Sequence, residues 1–199
     1  MKSTQFWVGL AVGMLGTCLL SPGVLTSAGK ATDGGRCIPA EMAADHLHSI
    51  IQADRTFYTT DVVERMQMRG IVFAGENWRE AGKLPLPAQF MMESGRLMAA
   101  EHSGLRYRLV SSWAINKQNG PTTEFERIGL RAIQANHDRP YTAVTTERGT
   151  RVFQALYADR AVSQSCVGCH NGHENSPKRD FKRGDVMGGI LLTIPLPPE

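Results

Sequence analysis

Two cysteines and one histidine near the carboxyl end of the chain form the pattern C-x-x-C-H, with Cys166, Cys169 and His170 at its fixed positions. This spacing is that of covalent haem attachment. Thiols at this separation can reach both vinyl groups on one edge of a porphyrin, while the next residue turns its imidazole beneath the iron. The pattern therefore predicts one covalently bound haem c, with Cys166 and Cys169 forming the thioethers and His170 acting as the proximal iron ligand.

A structural zinc site is the first alternative for the same residues, since cysteine thiolates and imidazoles are common zinc ligands. Its tetrahedral set would be Cys166, Cys169, His170 and His173. Zinc sites, however, normally take their ligands as two pairs from separate loops. The neighbouring residues Cys169 and His170 would have difficulty converging on one ion, so haem is the favoured interpretation.

A redox dithiol or a plain structural disulfide between Cys166 and Cys169 is the second alternative. A thioredoxin-like dithiol belongs at the amino end of a helix that follows a strand. The segment around the motif is rich in Gly, Asn, His and Pro, and it predicts no such helix. Both interpretations therefore rank below haem attachment.

The second axial position of the iron has several candidates, because thioether, thiolate and imidazole groups all bind haem iron. They are Met91, Met92 and Met98 on a predicted helix, His102 at its end, and Cys37. A single methionine more often fills a gap in the core than binds a metal. His173 is expected to hydrogen-bond near the haem edge.

The amino-terminal segment predicts a secretory signal peptide over residues 1–28. A positively charged start precedes an apolar run from Phe6 to Leu20, and small residues precede the expected cleavage after Ala28. An uncleaved membrane anchor is the alternative, but spanning a bilayer takes ~20 apolar residues, and a Pro-Gly pair interrupts the run. We therefore expect a periplasmic protein with no membrane span once the signal is removed.

The 199-residue chain carries a formal charge of +3 at pH 7, and its length suits one domain with its own core. We expect residues 29–39 to be a flexible lead-in and residues 40–199 to be that domain. Basic and acidic residues are interspersed along the chain, which argues against a nucleic-acid partner. Unpaired thiols are unusual in an oxidising compartment, and Cys37 has no obvious partner.

The elements that must position these residues begin with helices. Apolar residues at helical spacing predict helices over residues 39–70, over about 88–102, and from a capping box of Thr123 and Glu126. The aperiodic segment 71–87 predicts a loop. His46 and His48 are expected on the flank of the first helix. The buried face of the second helix is expected to comprise Phe90, Met91, Leu97 and Met98.

Alternating apolar residues predict strands over residues 105–115, on both sides of Arg148-Gly149, and over 186–196. The Arg148-Gly149 pair is expected to join two of these strands as a hairpin. Helices that precede strands with mostly local connections predict an α+β domain with an antiparallel sheet.

Several segments resemble, in their order, one known family. They are ADRTFYTTDVVERM, LPLPAQFMMESGRLM, GLRYRLVSSWAIN followed by GPTTEFER, and CVGCHNGHENSPKRDFKRGDVMGGILLTIP. The family comprises exported single-haem c-type proteins with a PAS-like domain, a domain of unknown function with a cyanobacterial haem protein as its structural example. The resemblance covers about residues 40–197. It implies an antiparallel sheet flanked by helices and preceded by a long amino-terminal helix, which holds one covalent haem c through Cys166, Cys169 and His170.

The resemblance also bears on the distal ligand. The cyanobacterial relative looks to pair its proximal histidine with a cysteine from a helix ahead of the first central strand. The helix predicted here over residues 88–102 contains no cysteine, and Met91 and Met92 occupy roughly the matching stretch. We therefore expect a His/Met pair formed by His170 with Met92 or Met91, and Cys37 is the second choice.

Together these features predict a non-enzymatic protein for one-electron transfer or redox sensing. Its expected partners are the cytochrome c maturation machinery and a redox donor or acceptor protein that the sequence does not identify. A gas- or ligand-binding haem sensor is the alternative from another class, with a distal position that is vacant or displaceable. A peroxidase would need a distal base and an arginine beside an open iron, and His102 with Arg106 is the pairing that the sequence offers.

Overall fold

The structure is a computed structural model that describes residues 37–101 and 103–198. The predicted signal peptide (1–28), most of the predicted lead-in (29–39) and the candidate ligand His102 lie outside those residues. Within the described part of the chain, no helix is both long and apolar enough to cross a membrane.

The first helical region runs from residue 40 to residue 68, as the apolar stripe predicted. It consists of α1 (Ala40–Phe57), a π-helical segment (Tyr58–Glu64) and α2 (Arg65–Met68). The chain leaves this region through Gly70, whose φ of 64° is a left-handed conformation that glycine adopts readily.

Threonine hydroxyls accompany the change from α- to π-helix. Thr56 Oγ1 donates to the carbonyl oxygen of Gln52 at 2.8 Å, and Thr59 Oγ1 donates to that of Arg55 at 2.7 Å. Such bonds to the carbonyl four residues earlier compete with the helix's own amides and often bend helices. The widened π-helical turn follows directly in the chain.

The next segment is more ordered than the predicted loop over residues 71–87. It contains a short helix, α3 (Trp78–Ala81), and a β-bridge between Ala74 and Leu84. Helix α4 (Pro87–Ala100) follows close to its predicted bounds. Its expected buried face is only partly confirmed, because Met91 is 1% exposed whereas Leu97 is 56% exposed.

The first strand, β1 (Arg106–Val110), is shorter than the predicted 105–115. The side chain of Ser111 turns the backbone there, because its hydroxyl donates to the carbonyl oxygen of Met187 at 2.6 Å and accepts from the amide of Trp113 at 3.0 Å. A 3₁₀ turn (Lys117–Asn119) follows.

Helix α5 (Glu124–Ala135) begins at the predicted capping box. Thr123 Oγ1 accepts from the amide of Glu126 at 3.2 Å, and Glu126 Oε2 accepts from the amide of Thr123 at 3.1 Å. The predicted hairpin is also confirmed: β2 (Tyr141–Glu147) and β3 (Thr150–Arg160) are joined by Arg148 and Gly149, both with positive φ.

The C-x-x-C-H motif lies on a helix, α6 (Gln164–Gly172), which follows β3 after a short connection. The prediction that no helix follows a strand here was therefore wrong. Ser163 caps this helix, because its hydroxyl oxygen accepts the amide hydrogen of Cys166 at 3.4 Å. The prediction did not take Ser163 as an N-cap, and for that reason it placed no helix here. The last strand, β4 (Val186–Pro195), agrees with its prediction.

The four strands form one antiparallel sheet in the order β1-β4-β3-β2. Because side chains alternate between faces along a strand, the sheet has a core on each side. One face packs against α1 through Ala44, Phe153, Ala155, Tyr157 and Leu192. The other packs against α5 through Val110, Leu130, Ile133, Leu156 and Leu191. The predicted α+β fold, a PAS-like antiparallel sheet flanked by helices and preceded by a long helix, is confirmed.

Candidate functional site

A cavity of about 620 Å³ lies at one end of the sheet, where β1 and β3 end and β4 begins. Val110, Asp159 and Gly188 line it from those strand ends. Its other walls are formed by residues of α1, the π-helical segment, α2, α4 and α6, and by the connections before α3, after β1 and after α6. Its volume falls within the roughly 300–1,000 Å³ that is usual for small-molecule and cofactor sites.

All three fixed residues of the C-x-x-C-H motif line this cavity, from the α6 side. Residues three and four positions apart share one face of an α-helix, so Cys169 and His170 lie on the same side of α6 as Cys166. The structure thus brings together the residues that the sequence singled out.

Helix α6 is fixed from behind by an apolar cluster and by a reciprocal pair of hydrogen bonds. Val167 is 6% exposed and packs with Ala161, Phe181 and Met187. Asn171 Nδ2 donates to the carbonyl oxygen of Phe181 at 2.9 Å, and Asn171 Oδ1 accepts from the amide of Phe181 at 3.0 Å. The Phe181 ring stands perpendicular to the His170 ring, with 6.0 Å between centroids. These contacts set the orientation of His170.

His170 is in the form that can bind a metal. Burial lowers the pKa of His170 below its ordinary value, because desolvation disfavours the imidazolium. The carboxylate of Asp159 opposes this effect, while the charges of Arg55 and His173 add to it. A neutral imidazole is the ligating form.

One wall of the cavity is built by Arg55, Thr59, Val63 and Gln67, which recur every four residues. On an α-helix, a spacing of four drifts about 40° around the axis at each step. A π-helix has more residues per turn, and the segment Tyr58–Glu64 therefore reverses this drift. The π-helical segment keeps the four side chains on one wall.

Arg55 of this wall and Asp159 at the end of β3 form an ion pair, and we call these two residues the cavity pair. Arg55 Nη2 lies 2.8 Å from Asp159 Oδ1, and the two side chains are 7% and 14% exposed. Arg55 Nη1 also donates to the carbonyl oxygen of Arg160 at 3.3 Å. Asp159 Oδ1 is buried and has no partner other than Arg55 among the described residues.

The two adjacent methionines have different positions. Met92 lines the cavity, and Asn119 Nδ2 donates to its Sδ at 3.5 Å. Met91 is 1% exposed in the core and is not among the cavity-lining residues, while its carbonyl oxygen accepts from the Tyr107 hydroxyl at 2.9 Å. Met98, on the same helix, does not line the cavity either. Of the methionine candidates, the geometry favours Met92.

His173 lines the cavity but has both ring nitrogens engaged. Nδ1 accepts a hydrogen bond from the amide of Asn175 at 3.1 Å, so the ring proton is on Nε2. Nε2 donates it to Glu76 Oε1 at 3.1 Å. His173 thereby joins the end of α6 to the segment that precedes α3.

The other candidate residues lie elsewhere. Cys37 is exposed ahead of α1 and does not line the cavity. His46 is exposed, and His48 stacks on Tyr157 with 4.0 Å between ring centroids. Arg106 pairs with Glu147 and does not line the cavity, so the structure does not place it as a distal arginine for a peroxidase.

The described residues give no support to the zinc interpretation, and they meet only one requirement of the dithiol interpretation, since α6 follows a strand. No three side chains of His, Cys, Asp or Glu converge there as a metal site. Cys166 and Cys169 are free thiols. The strands on either side of α6, β3 and β4, are antiparallel neighbours, so α6 is not part of the βαβ unit in which a thioredoxin-like dithiol belongs.

The polar lining residues that sequence reasoning missed include Arg55, Asp159 and Asn119. Arg55 could have been found, because it interrupts the apolar stripe of the first helix between Ile51 and Tyr58. Asp159 follows a run of buried residues in β3, which is a weaker signal. Nothing in the sequence points to Asn119, whose position depends on the turn after β1.

Comparisons with known proteins identify one family model and one solved structure. The model of the Tll0287-like family matches residues 38–195. The solved structure of the cyanobacterial heme-protein Tll0287 is similar, with a TM-score of 0.47 and 18% sequence identity, over 81% of this chain and 99% of that protein. A search of curated proteins finds no match.

Proposed function

The chain belongs to the Tll0287-like family, and from that premise we propose that it is a periplasmic protein that holds one covalently attached haem c. Its role is one-electron transfer or redox sensing. The observation that carries the proposal is the convergence of Cys166, Cys169 and His170 on one cavity.

The residues present fit a haem. The lining includes apolar side chains suited to a porphyrin, among them Val63, Leu86, Leu109, Trp113 and Met187. Cys166 and Cys169 would form the two thioether bonds, and His170 would be the proximal ligand. When bound, haem supplies one-electron chemistry through its iron, whose potential depends on axial ligands, burial and hydrogen bonding.

Met92 is the distal ligand in this proposal. It comes from α4, whereas His170 comes from α6, and both line the same cavity. The hydrogen bond from Asn119 engages one lone pair of the sulfur and leaves another for iron. A thioether ligand raises the haem potential relative to a thiolate.

The cofactor is tested by a pyridine haemochrome spectrum of the denatured protein, produced in cells with a cytochrome c maturation system. We expect haem to remain with the chain and to give a c-type spectrum, and replacement of both Cys166 and Cys169 by Ala to abolish this. Cys37→Ala is the matched control, because that cysteine lies outside the cavity, and it should retain the haem. A colourless parent protein that contains stoichiometric zinc would overturn the proposal.

The distal ligand is tested by the weak absorption of the bond between methionine sulfur and ferric iron. Met92→Ala should remove this absorption, and Met91→Ala should retain it because Met91 lies in the core. Absence of the absorption from the parent protein would show that neither methionine binds the iron.

Binding of a gas or another small ligand is a second candidate function, favoured by the 37% exposure of Met92. A thioether held by a single hydrogen bond at 3.5 Å is open to displacement. Carbon monoxide should then shift the spectrum of the reduced protein. A spectrum indifferent to carbon monoxide supports electron transfer with six fixed ligands.

Export is part of the same proposal. The mass of the purified protein should correspond to a chain that begins near Gly29 and carries one haem. Recovery with the periplasmic fraction is the expected result, and an uncleaved chain in the membrane fraction would contradict it.

A further inference from the structure

We propose that the cavity pair, Arg55 and Asp159, sets the reduction potential of the haem, with Asp159 as the positioning residue for His170. This inference rests on the proposed function, because it needs His170 as an iron ligand. Asp159 would accept the N–H of the His170 ring nitrogen that does not face the iron, and Arg55 would hold the Asp159 carboxylate in place.

The first observation is that the pair is buried at the cavity. Its side chains are 7% and 14% exposed, and both line the same cavity as His170. Buried ion pairs are weak contributors to stability, because desolvation of both charges offsets their attraction. Because such a pair adds little to stability, we infer that its charges act on the cofactor that the cavity would hold.

The second observation is an unused acceptor in the same cavity as an unused donor. Asp159 Oδ1 is buried and, apart from Arg55 Nη2 at 2.8 Å, has no partner among the described residues, so it can accept a further hydrogen bond. Among the residues that the structure describes, the His170 ring has an edge contact with Phe181 and no hydrogen-bond partner. Histidines that bind metals almost always donate their second ring N–H to a carboxylate, a carbonyl or water.

Both charges of the pair line the cavity that His170 also lines. A negative charge near the ligand favours ferric over ferrous iron, and a positive charge does the reverse. The two members of the pair must therefore move the potential in opposite directions when each is neutralised.

A matched control lies on the other face of the sheet. Arg108 Nη2 and Glu126 Oε1 form an ion pair at 2.7 Å, with the Glu126 side chain 3% exposed, and we call it the cap pair. It borders a separate polar cavity of about 280 Å³ and does not line the large one. Neutralising Glu126 perturbs a buried ion pair without touching the haem site.

The experiment is a spectroelectrochemical titration of the haem-loaded protein and its variants. We expect D159N to shift the midpoint potential to more positive values and R55Q to shift it to more negative values. The control E126Q should leave the potential where it is in the parent. Shifts of the same sign in D159N and R55Q, unchanged potentials in both, or an equal shift in E126Q would overturn the inference.

A further variant covers the case in which R55Q does not fold. R55K keeps the positive charge, so it should shift the potential less than D159N does; a shift as large as that of D159N would contradict the role of charge. Failure of the proposed function has a different signature, because then no c-type haem is present in the parent, and both proposals fall. Haem present with unmoved potentials refutes only the role of the cavity pair.

Discussion

The cavity pair and the cap pair lie on opposite faces of one sheet and differ in how fully their carboxylates are satisfied. Glu126 accepts from Arg108 Nε at 3.0 Å and Nη2 at 2.7 Å, and from the amides of Thr122 at 2.6 Å and Thr123 at 3.1 Å. Asp159 Oδ1, by contrast, has Arg55 Nη2 at 2.8 Å and no further hydrogen-bond partner in the part of the chain that the structure describes. The difference indicates that the cap pair stabilises the fold, whereas in the cavity pair Asp159 Oδ1 can still accept a hydrogen bond.

The regions around the two pairs differ in the same way. Near the cap pair, α5 presses onto the sheet, and Leu130 and Ile133 are at most 1% exposed. Near the cavity pair, the strand ends are held apart from α6 and the π-helical segment by about 620 Å³ of space. The first region is filled by the chain itself, and the second leaves a space that the haem of the proposed function would fill.

The largest expected effect is the loss of the cap pair. Glu126→Ala removes the helix cap and leaves Arg108 without its partner, and we expect the free energy of unfolding to fall by about 3 kcal/mol. Urea unfolding followed by circular dichroism measures it. The haem potential of the folded fraction should not change, and a change would break the distinction between the two regions.

A smaller loss is expected for Gly129→Ala on α5. The added Cβ would lie 2.7 Å from Leu156 Cδ2 and 2.9 Å from Tyr141 Cδ1. The cost of overpacking is about 1–3 kcal/mol, and the better helix propensity of alanine offsets up to about 1 kcal/mol of it. A lower urea midpoint is expected, and an unchanged midpoint would show that α5 is packed less tightly than the structure indicates.

Acidification should lower the free energy of unfolding through the cap pair, and by less than Glu126→Ala does. Burial by itself would raise the pKa of Glu126, but hydrogen bonds from Thr122, Arg108 and Thr123 outweigh it and lower the pKa. The stabilisation is thus fully present above the unfolded-state pKa of about 4.3 and is lost as pH falls through the folded-state value. Unfolding of the parent and of E126Q across this window measures the effect, and an equally steep loss in E126Q would assign it to other groups.

The smallest effect is expected for Gly168→Ala on α6, beside the cavity. The added Cβ meets nothing within 4 Å among the described residues. Alanine is favoured over glycine inside a helix by about 0.5–1 kcal/mol, so the variant should be slightly more stable and should still attach haem. Destabilisation would mean that α6 is as closely packed at Gly168 as α5 is at Gly129.

Local signals in the sequence were sufficient for much of the fold. The capping box of Thr123 and Glu126, the Arg148-Gly149 turn and the stripe of the first helix each involve neighbours in the chain, and all appear where they were predicted. The errors arose where a single polar side chain redirects the backbone. Ser163 starts α6 and Ser111 ends β1, and a lone serine is a weak sequence signal.

The site divides along the same line. The sequence identified Cys166, Cys169 and His170 because their C-x-x-C-H spacing is that of haem attachment. Helix geometry alone then places them on a common face. The choice between Met91 and Met92 was beyond the sequence, because one residue on a helix turns the side chain by about 100°. Only the packing of α4 against β1 decides which sulfur meets the cavity and which enters the core.

The sequence by itself determined the α+β class, the attachment motif and the helix stripe, because each depends on periodicity or on a few adjacent residues. Tertiary structure alone decided the cavity, the pairing of Arg55 with Asp159, and the contact between Asn119 and Met92. Arg55 and Asp159 lie more than a hundred positions apart in the chain. Their meeting depends on how α1 docks on the end of β3, and no local pattern encodes such a contact.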